Sequence, residues 1–222
     1  PWVHWPETMS TYLKEDKILF SCDFLASHCA CDDLFVDDEQ KVYTLAKRYF
    51  AEIMMPFRTS IKNNLKILDS LEIEFICPSH GQIYPNPKFI IDVYKDWTSE
   101  SVKNEVVIPY VSMHGSVLAM VEYLTKQLIN KNIKVKPFNL SETDLGDLAI
   151  SLVDAATIII AAPAVLSTAH PYAANAAYLV NALRPKTKFA SIIGSYGWGA
   201  KLSETILGLL PNLKAEIIDP VL

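Results

Sequence analysis

No stretch of this 222-residue chain is apolar for long enough to cross a bilayer. The longest run, around Thr157 to Val165, stops far short of the roughly 20 residues that a membrane-spanning helix needs. The first residues carry no secretory-leader pattern, so the expectation is a soluble protein with no membrane partner. A basic excess is missing too: 20 Lys plus Arg face 25 Asp plus Glu, for a net charge of -5. Without a positive surface to neutralise a phosphate backbone, nucleic acid is not expected as a partner. Cysteine is scarce, with Cys22, Cys29, Cys31 and Cys77 all in the first third. A chain of this size does not depend on a disulfide framework, and a reducing cytoplasm fits best. An initiator methionine is also absent: the chain opens at Pro1 and stops at "IIDPVL", which reads as a piece of a longer polypeptide.

What is present is ordinary globular composition, 50% hydrophobic and 20% charged, enough for one large domain or two small ones. Near the start, "KILFSCDFL" and "LEIEFICPSHG" are apolar runs rich in strand formers, each ending in polar or turn residues. Between them, apolar positions recur at helical spacing at Val42, Leu45, Tyr49 and Ile53, then at Ile61, Leu65 and Leu68. Two helices are therefore expected between two strands. A polar run follows "YPNPKFIIDVYKDW", and a domain boundary is expected near residues 98 to 104. Beyond it, strand-like "EVVIPYV", "IKVKPFNL", "ATIIIAAP", "KFASIIGS" and "KAEIIDPVL" alternate with helical segments. That alternation argues for a doubly wound parallel α/β sheet.

In such sheets ligands sit beyond the C-terminal strand ends, where three loops meet the condition. The first is Ser112, Met113, His114, Gly115, Ser116 and Val117, between a strand and a helix whose N–H groups can hold a phosphate. The second contains Pro163, Ala164, Val165 and Leu166; the third contains Ser195, Tyr196, Gly197, Trp198 and Gly199. Glycine lets backbone approach a planar ring, and Tyr196 and Trp198 are placed to stack on it. An aromatic, phosphorylated cofactor is the expected guest. The arrangement resembles flavodoxin-like domains, which bind flavin mononucleotide (FMN) in these loops. Two positions depart from that pattern: Val117 stands where a hydroxyl residue is usual, and Ala164 stands where Thr is usual.

In the first part, His4 precedes "WPETM", Asp23 follows "ILFSC", and His80 lies in "CPSHG". Two imidazoles and a carboxylate at strand ends or loops suit a transition metal, the carboxylate being able to bridge two ions. "HWPETMSTYL", "ILFSCDF" and "CPSHG", followed by a flavodoxin-like domain, are similar to the flavodiiron proteins over essentially the whole chain. The resemblance implies that residues 1–100 are the C-terminal part of a metallo-β-lactamase-like αββα di-iron domain. Residues 104–222 would be a flavodoxin-like FMN-binding domain lacking its last helix.

It further implies reduction of dioxygen to water or of nitric oxide to nitrous oxide at two iron ions, with electrons passed from FMN. His4 would bind one iron, Asp23 would bridge both and His80 would bind the other. The donor would be a rubredoxin-like protein or a reduced deazaflavin, and the assembly a head-to-tail homodimer in the cytoplasm. The family's remaining ligands form an alternating His/Glu/Asp cluster upstream, and no such cluster occurs in this sequence, so the chain as given is not expected to hold a complete di-iron centre.

His28 suits either support of a metal ligand or simple packing. Cys29 and Cys31 lack a second cysteine pair at zinc spacing and read as structural or redox-sensitive. His114, in the first loop, is expected to contribute its backbone rather than its imidazole. His170 lies beside the second loop. Two other functions stay open: a zinc-dependent hydrolase of the metallo-β-lactamase type, and a flavodoxin-like electron carrier with a scaffold attached.

Overall fold

The computed structural model describes residues 3–197 and 201–222. The chain divides into two compact units, Pro1–Glu100 and Ser101–Leu222. In the first, β1 (Thr11–Leu13) runs antiparallel to β2 (Ile18–Cys22), and β2 pairs in parallel with β3 (Phe75–Pro78), giving the order β1-β2-β3. Between β2 and β3 lie α1 (Glu39–Tyr49) and α2 (Arg58–Leu68). Asp38 starts α1 by accepting the Lys41 N–H at 3.0 Å, and Glu39 sits in the first turn, where negative charge complements the helix dipole. The apolar stripe reaches the interior: Val42, Ala46 and Tyr49 are buried on α1, and Ile61, Leu65 and Leu68 on α2.

The two helices are joined without an intervening loop. A π turn (Phe50–Met54) and a 3-10 turn (Met55–Phe57) carry the chain from α1 into α2. Pro56 has no N–H and its ring clashes with the preceding turn, so the ladder widens and then tightens around it. The second apolar run is also less strand-like than its composition suggests: only four residues pair, because Pro78 interrupts the ladder and Gly81 turns the chain at φ 85°. After it, α3 (Pro87–Thr98) begins with proline at its first position. Its buried face packs Tyr94 and Trp97 against Phe24 and Phe50, with ring centroids 5.2 to 5.8 Å apart.

The second unit alternates β4 (Lys103–Tyr110), α4 (Ser116–Ile129), β5 (Lys134–Asn139), α5 (Leu145–Leu152) and β6 (Ala155–Val165). It continues through β7 (Thr168–Ala169), α6 (Pro171–Leu183), β8 (Phe189–Ser195), α7 (Leu202–Gly208) and β9 (Glu216–Ile217). The parallel sheet has the order β5-β4-β6-β8-β9. Counted along the unit that is 2-1-3-4-5, the flavodoxin-type doubly wound order, whose switch point lies between the first and third strands. Val106, Ile108, Val117, Val121, Ile159, Ala161 and Ile193 form a buried core between α4 and the sheet.

One strand was not foreseen. β7 folds back on the tip of β6, pairing Val165 with Thr168 through Leu166 and Ser167, both left-handed at φ 51° and 63°. Such turns favour Gly or Asn, so "VLST" carries no local signal for one.

Candidate functional site

In the first unit the chemistry gathers where the parallel strands β2 and β3 end. The Ser79 N–H donates to the Cys22 carbonyl at 2.9 Å, carrying the pairing one step past the strands. That step sets His80 beside Asp23, with Nε2 3.2 Å from Oδ1. The Asp23 side chain is 16% exposed and that of His80 48% exposed, so the carboxylate is held while the imidazole faces outward. The Ser27 N–H donates to the His80 carbonyl at 3.3 Å. Only glycine fits next to it: a Cβ on Gly81 would meet Ser27 Oγ at 2.4 Å, at a φ of 85° that other residues avoid.

Tyr49, reaching in from α1, donates its hydroxyl to the Asp23 carbonyl at 3.1 Å. Burial, then the Asp23 charge, raises the Tyr49 phenol well above its ordinary range, so it stays a donor at neutral pH. The His28 ring packs edge-on against Tyr49 at 4.7 Å and against His80 at 5.3 Å. An open cleft of about 540 Å³ is bounded by Ser27, His28, Cys29, Ala30, Ser79, His80 and Gly81. His4 has a left-handed backbone, φ 76°, and packs edge-on against Trp5 at 5.4 Å.

The structure thus brings Asp23 and His80 together and does not gather His4 with them. Among the described residues no three His, Cys, Asp or Glu side chains converge as a metal-holding group. The Asp23–His80 pair has the right donor types for one edge of a transition-metal site. It suits such an ion without completing its shell.

In the second unit the loop after β4 meets the C-terminal ends of β6 and β8; Pro163, Ala164 and Val165, expected in a loop, are the last residues of β6, because the strand continues through Pro163 in pairing with β8. Met113, His114, Ser116, Pro163, Ala164, Val165, Ser195, Tyr196 and Gly197 line one open cleft of about 490 Å³, within the size range of small-molecule sites. The N-terminus of α4 is part of this wall, and Gly115 enters it at φ 86° with nothing within 4 Å of where a Cβ would stand. Gly115 is therefore needed for its conformation rather than for space. Ser116 Oγ and Ser195 Oγ are 3.3 Å apart and tie the first loop to the third.

Other predicted positions do different things. Ser112 Oγ accepts the Leu118 N–H at 3.2 Å, capping α4. The Val117 side chain is buried in the core, so only its backbone is available to a ligand. Leu166, at the β6–β7 turn, is 94% exposed and lies off the cleft lining. His170 caps α6, its Nδ1 accepting the Tyr172 N–H at 3.2 Å, and burial lowers its pKa. Trp198 and Gly199 lie outside the described residues. A phosphorylated aromatic ligand suits this cleft: helix N–H donors and the Ser116 and Ser195 hydroxyls would be available to a phosphate, and the half-exposed Tyr196 offers a ring.

Sequence reasoning counted Tyr49 only as part of an apolar stripe. Its polar role depends on a partner 26 positions earlier in the chain, and helical periodicity carries no trace of that contact.

Comparison with known proteins bears on both units. Residues 1–81 match a family model described as ODP family beta lactamase. The chain is 32% identical to the nitric oxide reductase of Moorella thermoacetica, over 98% of this chain and 56% of that protein. It superposes on the flavodiiron protein from Giardia intestinalis with a TM-score of 0.89 at 26% identity, covering all of this chain and 57% of that one. With rubredoxin oxygen:oxidoreductase from Desulfovibrio gigas the TM-score is 0.93 at 24% identity, over 99% of this chain and 57% of that one. The chain therefore spans a little more than half the length of these relatives. These likenesses support the flavodiiron-protein family.

Proposed function

We propose that this chain is a fragment of a flavodiiron oxidoreductase that reduces dioxygen to water, nitric oxide to nitrous oxide, or both. The observation that carries this reading is the occurrence in one chain of the Asp23–His80 pair and a cleft at the switch point of a 2-1-3-4-5 sheet. A hydrolase would have no use for the second feature, and an electron carrier none for the first.

Under this reading His4, Asp23 and His80 supply part of a non-haem di-iron site, the other donors coming from outside this chain's 222 residues. An iron pair held there would supply the redox chemistry that reduction of the gas demands. Tyr49 holds the Asp23 backbone, and through it the carboxylate, in place. The loops of the second unit hold FMN. Backbone N–H groups at the start of α4, with Ser116 and Ser195, would hold its phosphate, and Ala164 and Tyr196 would be available to its ring. The electron donor is a rubredoxin-like protein or a reduced deazaflavin, and the assembly is a head-to-tail homodimer in the cytoplasm. No helix among the described residues is long and apolar enough to cross a membrane.

The test is a visible spectrum with metal analysis on the longer parent protein, purified anaerobically. Flavin absorbance with about two irons per chain is expected from the two-metal logic. Amperometric assays then decide between dioxygen and nitric oxide. Zinc without flavin would transfer the assignment to a hydrolase, and flavin without metal to an electron carrier.

A further inference from the structure

A phosphate monoester carries about 1.5 to 2 negative charges at neutral pH, and the cleft at the ends of β4, β6 and β8 has little to set against them. Among the described residues its lining contains no Lys, Arg, Asp or Glu. His114 is the one lining side chain that can become positive, and Tyr196 is the only other that titrates. Neutral donors are few as well. Ser112 Oγ accepts the Leu118 N–H and the Gly115 carbonyl accepts the Ala119 N–H, so the first turn of α4 leaves the Ser116 and Val117 N–H groups to a ligand. The Val117 side chain is core and Ala164 brings no hydroxyl, which leaves Ser116 and Ser195 as the hydroxyl donors. His114 precedes Gly115, whose φ of 86° starts the helix, and it is exposed. The other four histidines are engaged: His4 packs on Trp5, His28 on Tyr49, His80 lies against Asp23 and His170 caps α6. Among the described residues no hydrogen bond, ion pair or ring contact engages the His114 imidazole. Its backbone alone was expected to serve, yet its side chain stands at the cleft wall with donors to offer.

We propose that the His114 imidazolium binds the phosphate of the ligand and makes this cleft prefer a phosphorylated flavin over an unphosphorylated one. The inference rests on the reading of the cleft as a flavin site and names the residue that supplies its charge. A hydrogen bond from an imidazolium to a phosphate oxygen is charge-assisted, roughly twice as strong as one between neutral groups. Histidine changes charge between about pH 5 and pH 8, so this part of the affinity is present at the acidic end and lost at the alkaline end. A neutral imidazole still has one N–H to donate, without the charge. The helix N–H groups and the two serine hydroxyls keep their donors throughout, so a weaker hold on phosphate remains.

The test titrates the 222-residue chain with FMN and with riboflavin, which lacks the phosphate, following flavin fluorescence at about pH 6 and about pH 8. The FMN phosphate itself titrates near pH 6, so the quantity read is the ratio of affinities between the natural chain and His114→Gln at each pH, in which the ligand's own titration cancels. His114→Gln should weaken FMN roughly tenfold at the lower pH, the scale of one charge-assisted hydrogen bond, and by less at the higher. Riboflavin should bind both chains equally. His114→Lys keeps its charge across this range and should hold FMN at the higher pH more tightly than the natural chain does. His114 is exposed, so neither substitution removes a packed side chain. An FMN ratio of one at the lower pH, or a loss shared equally by riboflavin, would overturn the inference and leave the flavin assignment standing. Binding of neither flavin would overturn both.

Discussion

Tyr49 and His170 are polar side chains whose work is to hold backbone. Tyr49 spends its hydroxyl on the Asp23 carbonyl and its ring on His28 and His80. Tyr49→Phe keeps the ring and deletes the donor, leaving a carbonyl short of a partner. Stability should fall by about 1 kcal/mol in urea unfolding, the usual scale for one hydrogen bond; an unchanged midpoint would mean that water replaces the bond. His170 caps α6 through a neutral Nδ1, and burial lowers its folded pKa below 6.5. The unfolded chain then binds the proton more readily. The stability contributed by His170 is therefore complete above about pH 6.5 and drains away as pH falls below it. His170→Asn keeps a capping acceptor and removes the titration. Thermal unfolding between pH 7 and pH 5 should decline less steeply for that variant than for the natural chain.

Whole elements are tied down by single contacts of the same kind. The first turn of α4 depends on Ser112 Oγ at the Leu118 N–H. Ser112→Ala should destabilise the second unit by roughly 1 kcal/mol, as loss of a helix cap does, and should speed hydrogen exchange at the start of α4 while leaving α6 unaffected. β8 meets a stricter limit at Gly194, where a Cβ would stand 2.3 Å from the Ala162 carbonyl oxygen and 2.5 Å from Leu202 Cδ2. The carbonyl belongs to the paired strand β6 and cannot yield without breaking the ladder. Gly194→Ala is accordingly expected to cost more than Ser112→Ala, on the order of 1–3 kcal/mol for overpacking, read as a lower melting temperature. A glycine in a strand pattern signals close approach in general terms; which atoms approach is set by the β6–β8 register and by α7.

Two units with separate cores should respond separately to a ligand. Trp97 is fully buried in the aromatic cluster of the first unit, so its near-ultraviolet dichroism reports on that unit. FMN bound in the second should raise that unit's transition by about 2.7 kcal/mol at a hundredfold excess over Kd, with the Trp97 signal melting where it did before. Stabilisation of neither unit by FMN would remove the flavin from the proposal while leaving the Asp23–His80 pair untouched.

Much of this architecture can be read from local sequence. The alternation of apolar runs with helical periodicity in the second half translates into a parallel sheet because each signal is local to its element. The loops after β4 and β8 could be named in advance because glycine and polar residues follow those strands, whereas Pro163, Ala164 and Val165, expected in a loop, are the end of β6. The resemblance carried by "HWPETM" and "CPSHG" likewise needs no coordinates. Tertiary structure decided the rest. The Asp23–His80 contact spans 57 positions and exists because β2 and β3 pair in parallel and end on the same edge. Ser112 and Val117 belong to the same loop motif, yet packing turns one into a helix cap and the other into core. Helical spacing placed Tyr49 among apolar residues, and only the folded chain brings its hydroxyl to Asp23. A side chain's polar partner is a property of three-dimensional neighbours, and distances along the chain do not encode it.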